Sequence, residues 1–135
     1  MTHSLNKSEI LQSAAKFLHD KNLYPAVAHS AYYSCYQLMK HIWLYSLGKS
    51  EDELSSRITA SRMGSHELLI NEISSHIKKS GNKDNNVHFR DFNQKIGQLK
   101  KLRINADYEN SLFDFSMSST SISLSNDIVP ILKKY

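Results

Sequence analysis

Apolar residues recur at helical spacing along almost the whole chain, with polar stretches between the runs. Ser8 is a candidate N-cap for a first helix reaching Lys21, with Ile10, Ala14, Phe17 and Leu18 on one face. A second helix begins at Pro25, whose fixed φ suits a first helical turn, and stops at Gly48. On it Ala31, Cys35, Leu38, Ile42 and Tyr45 form one line, flanked by Tyr32, Tyr36, Met39 and Trp43. An apolar arc over about half the circumference predicts a central helix with several neighbours, a second subunit being one option.

Residues Lys49–Gly64 are polar and mixed in charge, and read as a connection with room for a short helical turn. A third helix runs from Ser65, as N-cap, to just before Gly81, burying Leu69, Ile73 and Ile77. Gly81–Asn86 is a loop, and a fourth helix starts near Asn86 and frays past Ala106. The serine-rich stretch Ser116–Tyr135 closes the fold with a helix in its second half, which Pro130 is expected to kink or interrupt. With neither repeat nor internal boundary, residues 1–135 read as one all-α domain, an up-and-down bundle of four or five helices.

The fourth helix breaks its own pattern. Projected at about 100° per residue, Phe89, Phe92, Ile96, Leu99 and Ala106 share a stripe, yet Arg103 and Asp107 fall inside it. A guanidinium on a core face is costly unless it is paired or the face lines a cleft or a symmetric interface. As an i, i+4 pair on a surface, Arg103 and Asp107 would contribute about 0.3–0.5 kcal/mol. On a core stripe such a pair needs further hydrogen bonds. Tyr108 follows near the helix end, where its phenol can swing toward the same cleft. An Arg beside a hydroxyl and a carboxylate suits a phosphate-facing site, because a guanidinium can bind phosphate oxygens in bidentate fashion.

Composition narrows the rest. Four Gly and two Pro in 135 residues leave little punctuation for a many-stranded β architecture. No apolar run approaches the roughly 20 residues that span a bilayer, and the N-terminus MTHSLNKSEI has no apolar signal core. The lone cysteine, Cys35, excludes an internal disulfide and lies on an apolar line, which predicts a buried thiol. A cytoplasmic protein without a membrane segment is expected. The formal charge of +4 gathers in Lys78, Lys79 and Lys83 and in Lys95, Lys100, Lys101 and Arg103, which permits contact with nucleic acid without demanding it.

Of seven histidines only His66 and His76 share a helix face, and no H-x-x-x-H, E-x-x-H or C-x-x-C pattern occurs, so no metal site is predicted. A Gly-rich phosphate loop is also absent from the sequence, and no cofactor is expected. Glu51, Asp52 and Glu53 read as a solvated acidic patch.

Two segments carry a family resemblance. AVAHSAYYSCYQLMKHIWLYSLG (Ala26–Gly48), followed by SHELL (Ser65–Leu69), is similar to the A-Y-Y-x-x-Y/F helix, its glycine and the later H-x-x-L helix start of one bacterial branch of small HEPN proteins (higher eukaryotes and prokaryotes nucleotide-binding). LKKLRINADY (Leu99–Tyr108) resembles that branch's L-x-x-L-R-x-x-A-D-Y signature. The resemblance implies an HEPN-like bundle that forms a homodimer with its Arg-bearing helices facing across the two-fold axis. Arg103 and Asp107 would then line a cleft between two copies. Many HEPN proteins are metal-independent ribonucleases, often toxins paired with a minimal nucleotidyltransferase antitoxin, and carry the motif Arg-x-x-x-x-His. The Arg stabilises charge on the scissile phosphate, and the His helps activate the ribose 2′-hydroxyl.

Here Arg103 stands at the motif's Arg, but Tyr108 stands where its His would be. A phenol titrating near about 10 is a poorer base at neutral pH than an imidazole near about 6.5. Three readings therefore stay open. In the first, the chain cleaves RNA with Arg103, Asp107, Tyr108 and His66 as its catalytic set, Tyr108 or His66 supplying proton transfer. In the second, it is a non-catalytic module that binds RNA or nucleotide, or partners a nucleotidyltransferase. In the third, Arg103 and Asp107 only fix dimer register. His66 also reads as a plain polar residue in a first helical turn, and Tyr32 and Tyr33 as core and interface residues.

Overall fold

Helix α2 (Tyr24–His41) is the axis on which the others assemble in the computed structural model, which describes residues 3–135. Around it lie α1 (His3–Asp20), α5 (Asn85–Tyr108) and α6 (Phe115–Leu132), with α4 (Ser65–Lys79) on α5 and α3 (Glu51–Ser61) on α4. Among the described residues the secondary structure is entirely helical. No helix there is long and apolar enough to cross a membrane. Val27, Ala31, Tyr32, Cys35, Leu38 and Met39 of α2 are buried, meeting Leu69, Ile73, Phe92, Ile96, Leu99, Ile128 and Leu132 in one core. Burial pushes the Cys35 thiol up to about 12, as suits an inert core residue.

The α1–α2 contact departs from the expected apolar face. Helix α1 is already formed at His3, so Ser8 is no cap; it is buried mid-helix and donates to the Ser34 carbonyl of α2 at 2.7 Å. The inward positions are Ser4, Ser8 and Ala15, with Leu5 and Leu18 against the core, while Ile10 and Phe17 are 58% and 60% exposed. Small side chains let the two helix backbones approach, and a hydroxyl satisfied by a backbone carbonyl can be buried there. A count of bulky apolar residues picks the opposite face.

Helix α2 continues as a π-helical turn, Ile42–Ser46, before Gly48 adopts a left-handed φ of +62°. The wider turn shifts the register, so Ile42 and Trp43 stay in the core while Tyr45 leaves its expected line for solvent. Trp43 Nε1 donates to the Ser50 carbonyl at 2.8 Å and so fixes the start of α3.

That helix occupies the segment expected to be a connection, and it brings the described total to six helices rather than four or five. Ser50 caps it by accepting from the Glu53 N–H at 3.0 Å, and Glu51, Asp52 and Glu53 place negative charge at the positive end of the helix dipole. These acids are more than a solvated patch. Glu51 accepts from Lys40 at 2.9 Å, which holds its carboxyl below the usual range, and Arg57 joins Glu53 at 3.4 Å to Glu72 of α4 at 2.7 Å. With only Leu54 fully buried, α3 has almost no apolar stripe to betray it.

Helix α4 begins one residue earlier than expected, with Gly64 as its cap and Ser65 inside. Helix α6 begins at Asp114, whose carboxylate accepts from the Met117 N–H at 2.9 Å, and runs through Pro130 to Leu132 without interruption. Pro130 lies in the last turn, where its missing N–H removes one backbone bond close to the helix end. Ser118, Ser121 and Ser125 face inward. Ser121 and Ser125 return their hydroxyls to the carbonyls of Met117 and Ile122, and Ser118 meets His19 Nδ1 at 2.7 Å.

Because α3 rests on its cap and ion pairs, Ser50→Ala should lower stability by about 1 kcal/mol, read as a lower urea midpoint. An unchanged midpoint would show that the cap contributes nothing.

Candidate functional site

Packing Phe92, Ile96 and Leu99 into the core fixes the rotation of α5 and carries Arg103 inward on the same stripe. The residue is 7% exposed. Its guanidinium carbon lies 5.2 Å from the ring centre of Tyr32, 5.4 Å from Tyr33 and 5.6 Å from Tyr108. A cation over a ring gains about 0.5–1 kcal/mol when exposed and about 2 or more when desolvated, so the tyrosines compensate much of the burial.

Hydrogen bonding to the guanidinium is far from complete. Nη1 donates to the Tyr108 hydroxyl at a long 3.4 Å, and it stands 3.7 Å from Asp107 Oδ2. Nε is buried and makes no hydrogen bond among the described residues. The Asp107 carboxylate is drawn instead to His29 of α2, whose Nδ1 lies 2.9 Å from Oδ2. The i, i+4 pair on the core stripe is thus loose, and its acid is shared.

His66, in the first turn of α4, reaches the same place from the other side. Its Nδ1 is 2.7 Å from the Tyr32 hydroxyl. Its ring stacks on Tyr36 at 4.6 Å and meets Tyr33 edge-on at 5.7 Å. Burial holds the imidazole below its usual pKa, and the charges of Arg103 and Lys100 add to the effect. The Tyr32 phenol is pushed well up by burial, against the pull of Arg103. At neutral pH the pair is a neutral imidazole and a protonated phenol.

All four residues singled out in the sequence therefore stand around one point. Asp107 and Tyr108 follow Arg103 on its own helix, so their proximity comes from local spacing. His66 comes from α4, and only the tertiary fold could bring it there. Tyr108 is 74% exposed, at the mouth of the cluster. No protein-family model, curated protein or solved structure matches the chain.

Sequence reasoning left out four neighbours. Tyr32 is a core residue, as expected, but it also walls the site, and Tyr33, Tyr36 and His29 join it. The signal was the spacing of His29, Tyr33 and Tyr36 on α2, one helical face at i, i+4 and i+7.

The cluster can offer donors to an anion: the outer N–H groups of the Arg103 guanidinium, whose Nε is the enclosed end, and nearby Lys100. His76 does not share it, lying instead against the ring of Tyr135. Among the described residues, no three His, Cys, Asp or Glu side chains gather as metal ligands would. Of the other basic residues, Lys95 pairs with Asp127 at 2.9 Å and Lys78 lies over Phe89 at 5.0 Å.

The depressed His66 pKa has a consequence for stability. Below the ordinary value of 6.5 the unfolded chain takes up a proton that the folded His66 resists, so stability is full above 6.5 and falls as pH drops toward the folded pKa. His66→Gln should flatten that part of the acid-unfolding profile. His41, also held below its usual value by burial, keeps its own contribution in both proteins. Superimposable profiles would refute the prediction.

Proposed function

We propose that the chain is an HEPN-like protein that binds the phosphate of RNA or a nucleotide through Arg103, as a component of a toxin–antitoxin or defence system. One observation carries this reading: a buried guanidinium whose Nε–H is unengaged and whose nearest carboxylate is already held by His29. A purely structural buried Arg is expected to be saturated with acceptors, because each open donor in a core costs its full desolvation. A phosphate would supply the counter-charge, and acceptors for the outer N–H groups of the guanidinium. Lys100 adds attraction, and the rings of Tyr33, Tyr36 and Tyr108 offer aromatic surface to a base. The match of LKKLRINADY to the HEPN signature at Arg103 supports the same role.

A homodimer fits this reading in a modified form. Arg103 is buried within one chain, so a second copy is not needed to shield it. Ile104, Tyr108 and Leu112 are exposed at the end of α5 and just beyond it, where a partner copy would close the mouth of the site. The same exposed apolar edge favours the second reading, a non-catalytic helical module whose partner is a nucleotidyltransferase. Of the catalytic candidates, Tyr108 is the weaker base by chemistry, which leaves His66 to decide between cleavage and binding.

Arg103→Met keeps the side-chain volume but removes the donors. It should weaken binding of a short single-stranded RNA by roughly 10- to 100-fold, the loss of charged hydrogen bonds, with helicity by circular dichroism unchanged. Asp107→Asn should tighten binding by removing a competing anion. Both are measured by fluorescence anisotropy without metal, alongside a gel for cleavage. Equal affinity of wild type and Arg103→Met would sink the phosphate assignment.

A further inference from the structure

Tyr32 is fully buried, and among the described residues its hydroxyl has one hydrogen-bond partner, the Nδ1 of His66 at 2.7 Å. That single partner fixes the direction of the bond. Were the imidazole to donate, the phenol hydrogen would be left in the core without an acceptor, at the full cost of its desolvation. The phenol O–H therefore donates and Nδ1 accepts. The two ring planes lie within 14° of each other. A neutral imidazole that accepts at Nδ1 carries its own hydrogen on Nε2. Nothing opposes this state: the charged groups acting on His66 are the cations Arg103 and Lys100, and Asp107 is taken by His29. Tyr36 stacked on one side and Tyr33 edge-on hold the ring in place.

We infer that Tyr32 is a positioning residue that fixes His66 as its Nε2–H tautomer, so that the site holds a phosphate oxygen through donors alone, His66 Nε2–H together with the Arg103 guanidinium. This rests on the phosphate reading above and sharpens it from contact with RNA to retention of an intact phosphate ester. For His66 to take the proton of a ribose 2′-hydroxyl, Nε2 would need a free lone pair. It would first have to give up its hydrogen, and Nδ1, the other place for it, is occupied by the Tyr32 hydrogen bond.

The direct test is long-range nitrogen–proton correlation NMR on the full chain at pH 7.5. Wild type should show His66 with Nε2 protonated and Nδ1 bare, and Tyr32→Phe should lose that single tautomer. Binding is then measured with adenosine monophosphate and with a short single-stranded RNA. His66→Gln, whose amide keeps a donor near the place of Nε2, should stay within about threefold of wild type, whereas His66→Ala should lose roughly 10-fold. An Nδ1–H tautomer in wild type overturns the role of Tyr32 even where ligand binds. Metal-free RNA cleavage that His66→Gln abolishes overturns the donor role of His66. Failure of wild type to bind either probe overturns the phosphate reading and the donor half of the inference, while the spectrum still decides what Tyr32 does. If Tyr32→Phe does not fold, the wild-type spectrum and the two His66 variants carry the decision.

Discussion

A guanidinium cannot shed its proton, so a fold that buries one has to surround the charge rather than neutralise it. Arg103 sets that condition here, and much of the arrangement near it follows. Its charge is spread against three tyrosine rings instead of being matched by a close carboxylate. Among the described residues the one acid paired with it, Asp107, stands 3.7 Å away and belongs more to His29 than to Arg103. Cation–π contact stabilises a buried cation without using up its in-plane donors, which leaves the outer N–H groups for an acceptor. An ion pair of ideal geometry would have stabilised the charge better and closed the site.

The same economy of polar groups runs through the core. Ser8, Ser34, Ser118, Ser121 and Ser125 are all buried, and each hydroxyl has a partner among carbonyls or a histidine. Small hydroxyl residues let α1 and α6 come close to α2, which then has the width to present Tyr32, Tyr33 and Tyr36 on its remaining face. The tyrosines on that side of α2 meet His66 of α4 and Arg103 near the end of α5. Serine-lined packing on one flank and aromatic side chains on the other divide the surface of α2, and the site occupies the aromatic flank.

Tyr32 links the two. Its ring belongs to the core and lies against Arg103, while its hydroxyl sets the state of His66. A single buried side chain therefore couples a cation from α5 to an imidazole from α4. Burial keeps the phenol protonated and the imidazole neutral. That coupling is what turns a set of nearby residues into a site of defined hydrogen-bond character.

Much of this was legible in the chain before any coordinates. Helical periodicity gave the run of helices, Leu69, Ile73 and Ile77 as the buried line of α4, and the anomaly of a cation at Arg103, because these depend on spacing within one helix. Helix α3 was hidden because caps and ion pairs hold it where a stripe was sought, although Ser50 and Glu53 were the signal. The inward face of α1 was misjudged because interhelical distance, which no single helix encodes, selected serine and alanine over Ile10 and Phe17. His66, His29 and the tyrosines around Arg103 come together from distant parts of the chain, His29 meeting Asp107 across 78 positions. Local patterning determines what each helix can bury; which polar groups then meet, and which of them donates, only the packing of α2, α4 and α5 decided.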